Sequence, residues 1–493
     1  MNLKEIALFI PLEFYLIRSN ILRYISKNDM STHEIKFLFP FELINKDNLS
    51  LTDRIDPEDQ IRFSLSKRSM RAIAKIAKKI SEKKIKEVLL FGELSQSKML
   101  RFLCDSLTRM GVKITLEEYK KEYLDELTKD EINLIIEILK KENGDSEYIH
   151  SSIKKIINSG DIFTSEKIIN HCINNFNNYE STYANLIGVI KNCLMKPIEA
   201  EYYYNISKLG GESIAIIKAN YPLSMLYLRY HNIRKQSLTI GKNYLNEAFE
   251  IIISGGIESF DNDEKTFHKV FNRNGYGLIL FRERKVHEAI ELLEWCIAEL
   301  GNKGGKYHMH KSVIIYNLCQ CYKKLGFIDK AIEKYHELLK IDYSFPEYHL
   351  ELSLCYKEKH DKKKFKESVL ESLKVDPYYS DGHYQYSLIL LSENDIFNAE
   401  NHAKIAWELS GDDISSYNYA YILSIQDKYD KLSILNPSYD SHILSSWFIL
   451  QAESAGQSSI EKAISHLEYG ANICRNDKNI LSNINYLRRL SNV

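Results

Sequence analysis

Residues Ser312 to Phe345 read SVIIYNLCQCYKKLGFIDKAIEKYHELLKIDYSF, and the spacing inside this stretch decides the architecture. Leu318 and the small Cys319 adjoin, with Tyr322 one helical turn further on. Gly326 turns the chain, and Ala331, Tyr335 and Leu338 then follow at spacings of four and three, on one face of a second helix. A small residue at Cys319 lets two antiparallel helices approach, Ala331 does the same from the second helix, and the large residues fill the space between them. The pattern returns without a gap over Pro346–Tyr379, with Leu352, Ser353 and Tyr356 in register, Phe365 in the place of Ala331, and Pro377 closing the unit. It returns again over Ser380–Asp413 as Tyr386, Ser387, Leu390, Ala399, Ala403 and Ala406. A preceding unit starts at Val270 with Tyr276, Gly277, Leu280, Ala289, Leu293 and Cys296, and the glycine-bearing insertion Gly304–Lys311 separates it from the first. A 34-residue period carried through four units predicts a solenoid of helix pairs, each burying its face on its neighbours.

This pattern resembles the tetratricopeptide repeat (TPR) family, whose signature is an L-G-x2-Y helix, then A-x3-F, then Pro. The resemblance implies that the first helix of each pair lines a concave face. It also implies that five positions of each unit are exposed there. In this sequence they include Asn274, Leu278, Phe281 and Arg282, then Tyr316, Gln320, Lys323 and Lys324. The next two units give Leu350, Leu354, Lys357 and Glu358, then Tyr384, Leu388 and Leu391. An aromatic, aliphatic and basic lining suits an extended peptide or a helix with apolar anchors and some acidic character. Some members of the family clamp the C-terminal carboxylate of a chaperone with Lys and Asn at two of these positions. Asn274 and Leu278, or Tyr316 and Gln320, do not match that pair, so a chaperone tail is not expected.

Outward from the repeats, residues 1–120 read differently. Glu5–Ile10, Glu34–Phe39, Glu87–Phe91 and Val112–Leu116 are short apolar runs that suggest buried strands. Phe14–Lys27, Ser69–Lys83 and the stretch from Ser95 to Met110 suggest helices between them. Alternating strand and helix predicts a small α/β domain with a parallel, Rossmann-like sheet. Asn45–Gln60 is polar and reads as loop. A helical connector, 121–145, carries the capping box Thr128–Glu131. Degenerate repeats are expected over 146–260, with Gly188 and Tyr204 matching the pattern and Pro222 kinking a helix. A soft joint is expected near 254–266, regular repeats over 267–413, and an irregular unit, a last repeat and a polar capping helix over 414–493.

The 493 residues exceed one ordinary core, and a formal net charge of −1 projects no global field toward nucleic acid or an anionic membrane. Eight scattered cysteines without zinc spacing fit reduced thiols in a cytoplasmic protein. Glu5 and Glu13 interrupt the apolar opening, which therefore reads as neither a signal peptide nor a membrane span. Lys67–Lys86 holds nine basic residues and one acidic, but without interleaved aromatics it reads as a solvated helix face, and no nucleic-acid partner is expected. His308 and His310 are two apart in the insertion, and His349 and His383 are equivalent in consecutive units. With no third ligand in sight they read as packing histidines, and neither metal nor cofactor is expected. Gly92, Glu93 and Ser95 follow the Glu87–Phe91 run, where an open parallel sheet puts its ligand crevice. No phosphate loop, dinucleotide fingerprint or catalytic motif accompanies them. The leading expectation is an interaction protein that binds a peptide or protein in the solenoid groove and uses the N-terminal domain to dock or position it. The alternative is an enzyme or ligand-binding protein with its site in the N-terminal sheet. The oligomeric state is left open.

Overall fold

The computed structural model describes residues 17–38 apart from 19, 51, 65–94 apart from 93, 98–117, 153, 162–175, 180, 183–194, 196–432 apart from 303 and 305, 435, 443–475 and 477–491. Expectations for Glu5–Ile10, for most of Asn45–Gln60 and for the Thr128–Glu131 capping box fall outside the described residues. The chain forms two compact units, Met1–Thr108 with Val112–Lys362, and Arg109–Gly111 with Lys363–Val493.

Near the start of the first unit, the helix Leu65–Glu82 buries Ile73, Ile76, Ala77 and Ile80. Two parallel strands follow, β1 (Glu87–Phe91) and β2 (Lys113–Glu117), paired in register from Glu87–Lys113 to Phe91–Glu117. The helix Lys98–Arg109 connects them, as a parallel crossover requires. Among the described residues the sheet has these two strands alone, a parallel pair smaller than the expected Rossmann-like sheet. The physical reason lies on the other edge of β1. Asn20 donates Nδ2–H to the Phe91 carbonyl at 2.9 Å and accepts the Phe91 N–H at 2.9 Å. The Tyr24 hydroxyl donates to the Leu89 carbonyl at 2.9 Å and accepts its N–H at 2.6 Å. Side chains thus take the hydrogen bonds that a third strand would make.

A second correction concerns Glu34–Phe39, expected as strand. Thr32–Leu38 is a helix. Ser31 and Glu34 form a capping box, with Ser31 N–H to Glu34 Oε2 at 2.6 Å and Glu34 N–H to Ser31 Oγ at 3.4 Å. Lys79 then pairs with the buried Glu34 at 2.5 Å and Lys83 with Asp29 at 2.6 Å. Two lysines of the basic stripe are therefore committed, Lys79 to this helix and Lys83 to the 3-10 turn Lys27–Asp29 before it.

Helix pairs fill the rest of the first unit: Ala184–Cys193 with Pro197–Lys208, Ser213–Met225 with Leu238–Ile253, Asn262–Arg282 with Val286–Leu300, and Lys306–Lys324 with Ile328–Ile341. Pro346–Glu358 follows. Pro222 sits inside Ser213–Met225, and the helix widens immediately afterwards into a π turn, Leu226–Tyr230. Proline removes one backbone donor, and the wider turn re-pairs the ladder beyond it.

The turn inside each pair is stereotyped. Arg284, Gly326 and His360 all adopt left-handed backbone, with φ of 63°, 74° and 57°. The next residue but none bonds back five positions each time: Lys285 N–H to Leu280 O at 2.9 Å, Phe327 to Tyr322 at 2.9 Å and Asp361 to Tyr356 at 3.0 Å. These are Schellman closures. Small residues meet at the centre of each pair, with Cys319, Ala331, Ser353 and Ala289 fully buried. The thiol of Cys319 lies 3.8 Å from the Ala331 carbonyl, the close approach that the spacing calls for.

The second unit repeats the device. Ser380–Ser392 pairs with Ile396–Ser410 through Asn394 at φ 61°, and Asp395 N–H reaches Leu390 O at 2.9 Å. Asp413–Ile425 turns at Asp427 into a helix of one turn, Tyr429–Leu432. Leu444–Gly456 with Ile460–Ile473 and the terminal Lys478–Ser491 complete it around the fully buried Trp447 and Ile480.

Candidate peptide-binding groove

In the first unit the candidate positions lie on Asn262–Arg282, Lys306–Lys324 and Pro346–Glu358. Leu278, Phe281 and Leu354 are half-buried, and Arg282, Lys324 and Lys357 are exposed. Two positions go inside instead. Asn274 is buried and accepts a hydrogen bond from Asn317 Nδ2 at 2.9 Å, joining two first helices. Leu350 is buried as well. Helical periodicity gives the face a residue stands on. It does not give the line along which neighbouring first helices close over that face, and Asn274 stands on that line.

The polar members are held by the next unit. Tyr316 donates its hydroxyl to Glu347 Oε1 at 2.9 Å. Lys323 pairs with Glu351 at 2.5 Å, and Gln320 donates to the Tyr335 hydroxyl at 2.8 Å and to Glu351 at 3.2 Å. The buried Tyr335 hydroxyl reaches the same carboxylate at 3.4 Å. Burial first, then the Glu351 charge, raise the Tyr335 phenol well above its ordinary range, so it stays a donor. Glu347, Glu351 and Tyr335 were not legible as site residues, because their role depends on which unit stacks on which.

In the second unit Tyr384 and Leu388 are half-buried on Ser380–Ser392. Tyr417 and Tyr421 stack at 6.4 Å on Asp413–Ile425, and Tyr417 stands edge-on to Trp447 at 5.7 Å. The slip in the period near 414 hid this tyrosine pair, although the spacing of four was there to be read.

His349 and His383 make ordinary hydrogen bonds, and the buried His310 stands edge-on to Phe267 at 4.7 Å and Phe271 at 5.3 Å. His349 Nε2 lies 2.9 Å from the Tyr343 carbonyl, and His383 Nε2 lies 2.9 Å from the Pro377 carbonyl, the same bond in consecutive repeats. His383 and His402 share one Nδ1–Nδ1 hydrogen bond of 2.7 Å. His308 and His310, expected in a loop, are on the helix Lys306–Lys324. Gly92 ends β1 with φ 121° and donates to the Glu117 carbonyl at 2.9 Å. Glu93 and Ser95 lie outside the described residues. Among the described residues no helix is long and apolar enough to cross a membrane.

The helix pairs, their period and their stereotyped turns define a TPR-like helical-repeat protein. No family model matches the chain, and no curated protein matches it. Solved structures that it is similar to include a tetratricopeptide repeat protein from Parabacteroides merdae, 14% identical, covering 57% of this chain and 100% of that one at a TM-score of 0.35. PilF of Pseudomonas aeruginosa is 11% identical, covering 50% of this chain and 97% of that one at 0.37. A human IFIT1 dimer with PPP-AAAA is 13% identical, covering 75% of this chain and 97% of that one at 0.35.

Proposed function

We propose that the repeats bind a peptide or protein partner along the face of their first helices, as a cytoplasmic adaptor, with the N-terminal segment docking or positioning it. The observation that supports this reading is the fixed lining of the first unit. Tyr316, Gln320 and Lys323 are held by Glu347 and Glu351 before any partner arrives, beside half-buried Leu278, Phe281 and Leu354. Side chains ordered in advance lose little entropy on binding, and half-buried apolar groups supply the anchors. In the second unit Tyr384, Leu388, Tyr417 and Tyr421 offer amphipathic surface of the same kind. The eight cysteines are all free thiols, which suits a reducing compartment.

The test is capture of a partner from extract by the full chain, followed by its identification and by Tyr316→Ala with Tyr384→Ala. The double variant should lose the partner with an unchanged circular dichroism spectrum, each anchor contributing on the order of 2 kcal/mol. Undiminished capture by a folded double variant would show that the first-helix face is not the binding surface.

A further inference from the structure

The balanced net charge hides a local excess. Two turns of the first unit, 229–237 and 282–285, carry acidic neighbours that lysines already engage. Glu201 is paired with Lys235 and accepts from Tyr227, and Glu283 is paired with Lys242 at 2.7 Å and Lys285 at 3.4 Å. The arginines of these turns have no such partner. Arg229, Arg234 and Arg284 are exposed and join no ion pair among the described residues. Arg282 is exposed too, and donates Nη1–H to the Leu228 carbonyl at 2.6 Å, which sets its guanidinium beside the residue before Arg229. The π turn ends at Tyr230, so the Leu228 carbonyl has no helical donor to take, and the arginine supplies one. Partial burial, then the charge of Arg229, hold the Arg282 guanidinium below its usual range.

We propose that Arg229, Arg234, Arg282 and Arg284 form a recognition site for the oxyanions of an acidic peptide segment, carboxylate or phosphorylated side chains, beside the groove position Arg282. The proposal rests on the peptide-binding reading above and names the chemistry of the partner. Lysine far outnumbers arginine in this chain, so four arginines on two adjacent turns are not an effect of composition. The planar guanidinium fork suits paired oxygens where an ammonium does not. Neighbouring helices lie roughly 8–10 Å apart, the reach of about three extended residues, which fits a short acidic cluster. A nucleic-acid strand follows a longer track, about 4–16 nucleotides on a single-strand platform. Ile233, 87% exposed between Arg229 and Arg234 in sequence, adds an apolar contact that a peptide side chain can use.

The experiment is fluorescence anisotropy on the full chain with three labelled peptides of one length, bearing a run of glutamates, of phosphoserines, or of glutamines. The glutamate or the phosphoserine peptide should bind, the glutamine peptide should not, and the tighter of the first two identifies the oxyanion. Arg229→Gln with Arg234→Gln and Arg284→Gln leaves the Arg282–Leu228 bond intact and should weaken binding about tenfold or more. Arg282→Lys keeps the charge but loses the fork, and should weaken it as well. Binding should fall with added salt. The proposal fails if neither acidic peptide binds, if the triple variant binds them as the parent does, or if a polyuridine strand or phosphatidylserine vesicles bind these arginines more tightly. Acidic-peptide binding that survives Tyr316→Ala with Tyr384→Ala would separate this site from the groove reading. Loss of the captured partner in that double variant, with no acidic peptide bound, would leave the groove and remove the arginine site.

Discussion

Gly188 lies against the ring of Tyr204, where an added Cβ would meet ring carbons at 2.7 Å. Tyr204 is fully buried and has no room to retreat. At Gly277 the same addition meets the flexible end of Leu293 at 3.1 Å. Gly188→Ala should therefore cost roughly 1–3 kcal/mol and Gly277→Ala clearly less, as thermal melts will show. Equal losses would mean that the two helix pairs are packed alike. Protonation acts at the same scale. Burial, then Lys235, lower the pKa of His231 against the opposing pull of Glu201, and burial lowers that of His402. A folded-state pKa below the unfolded value means that the unfolded chain takes the proton first. Stability from these groups is then full above about pH 6.5 and is lost as pH falls through the lowered folded values. Melting temperature should drop between pH 7.5 and 5.5, and His231→Gln with His402→Gln should flatten that drop. An unchanged slope in the double variant would assign the acid sensitivity elsewhere.

The element that recurs is the helix pair with its left-handed closing residue. Arg284, Gly326 and His360 hold this position in the first unit, Asn394 and Asp427 in the second. A side chain on left-handed backbone costs roughly 1–2 kcal/mol, least for asparagine and aspartate. His360→Gly should stabilise the protein by up to about 1 kcal/mol, because its hydrogen bonds, His360 N–H to Lys357 O and Asp361 N–H to Tyr356 O, are made by the backbone alone. A lowered melting temperature would mean that the imidazole itself contributes. Gly326 alone advertised this turn in the sequence. At Arg284 and His360 backbone hydrogen bonding imposes the conformation on residues that do not prefer it. The same precedence of tertiary context over local preference explains the two-stranded sheet. The run EVLLF gave β1 correctly, but nothing in that run says that Asn20 and Tyr24 would occupy its free edge.

At the scale of the whole molecule, a repeat array is stabilised by nearest neighbours, so its parts need not melt together. Trp407 and Trp447 belong to the second unit and Trp295 to the first. Tryptophan emission should therefore report mainly the second unit while far-ultraviolet circular dichroism reports every helix. The two unfolding midpoints in urea should differ, and coincident curves would show that the units unfold as one. What the sequence by itself determined was the repeat: its period and the small residues at the centre of each pair. Those features depend on contacts within one helix or between adjacent helices, and such contacts leave a fixed spacing in the chain. Only the tertiary structure decided that Asn274 and Leu350 go inside, that Glu347 and Glu351 hold Tyr316 and Lys323, and that Arg229 and Arg282 come together. These depend on which side chains of one unit reach the next, and side-chain reach between units, unlike helical periodicity, has no period to read.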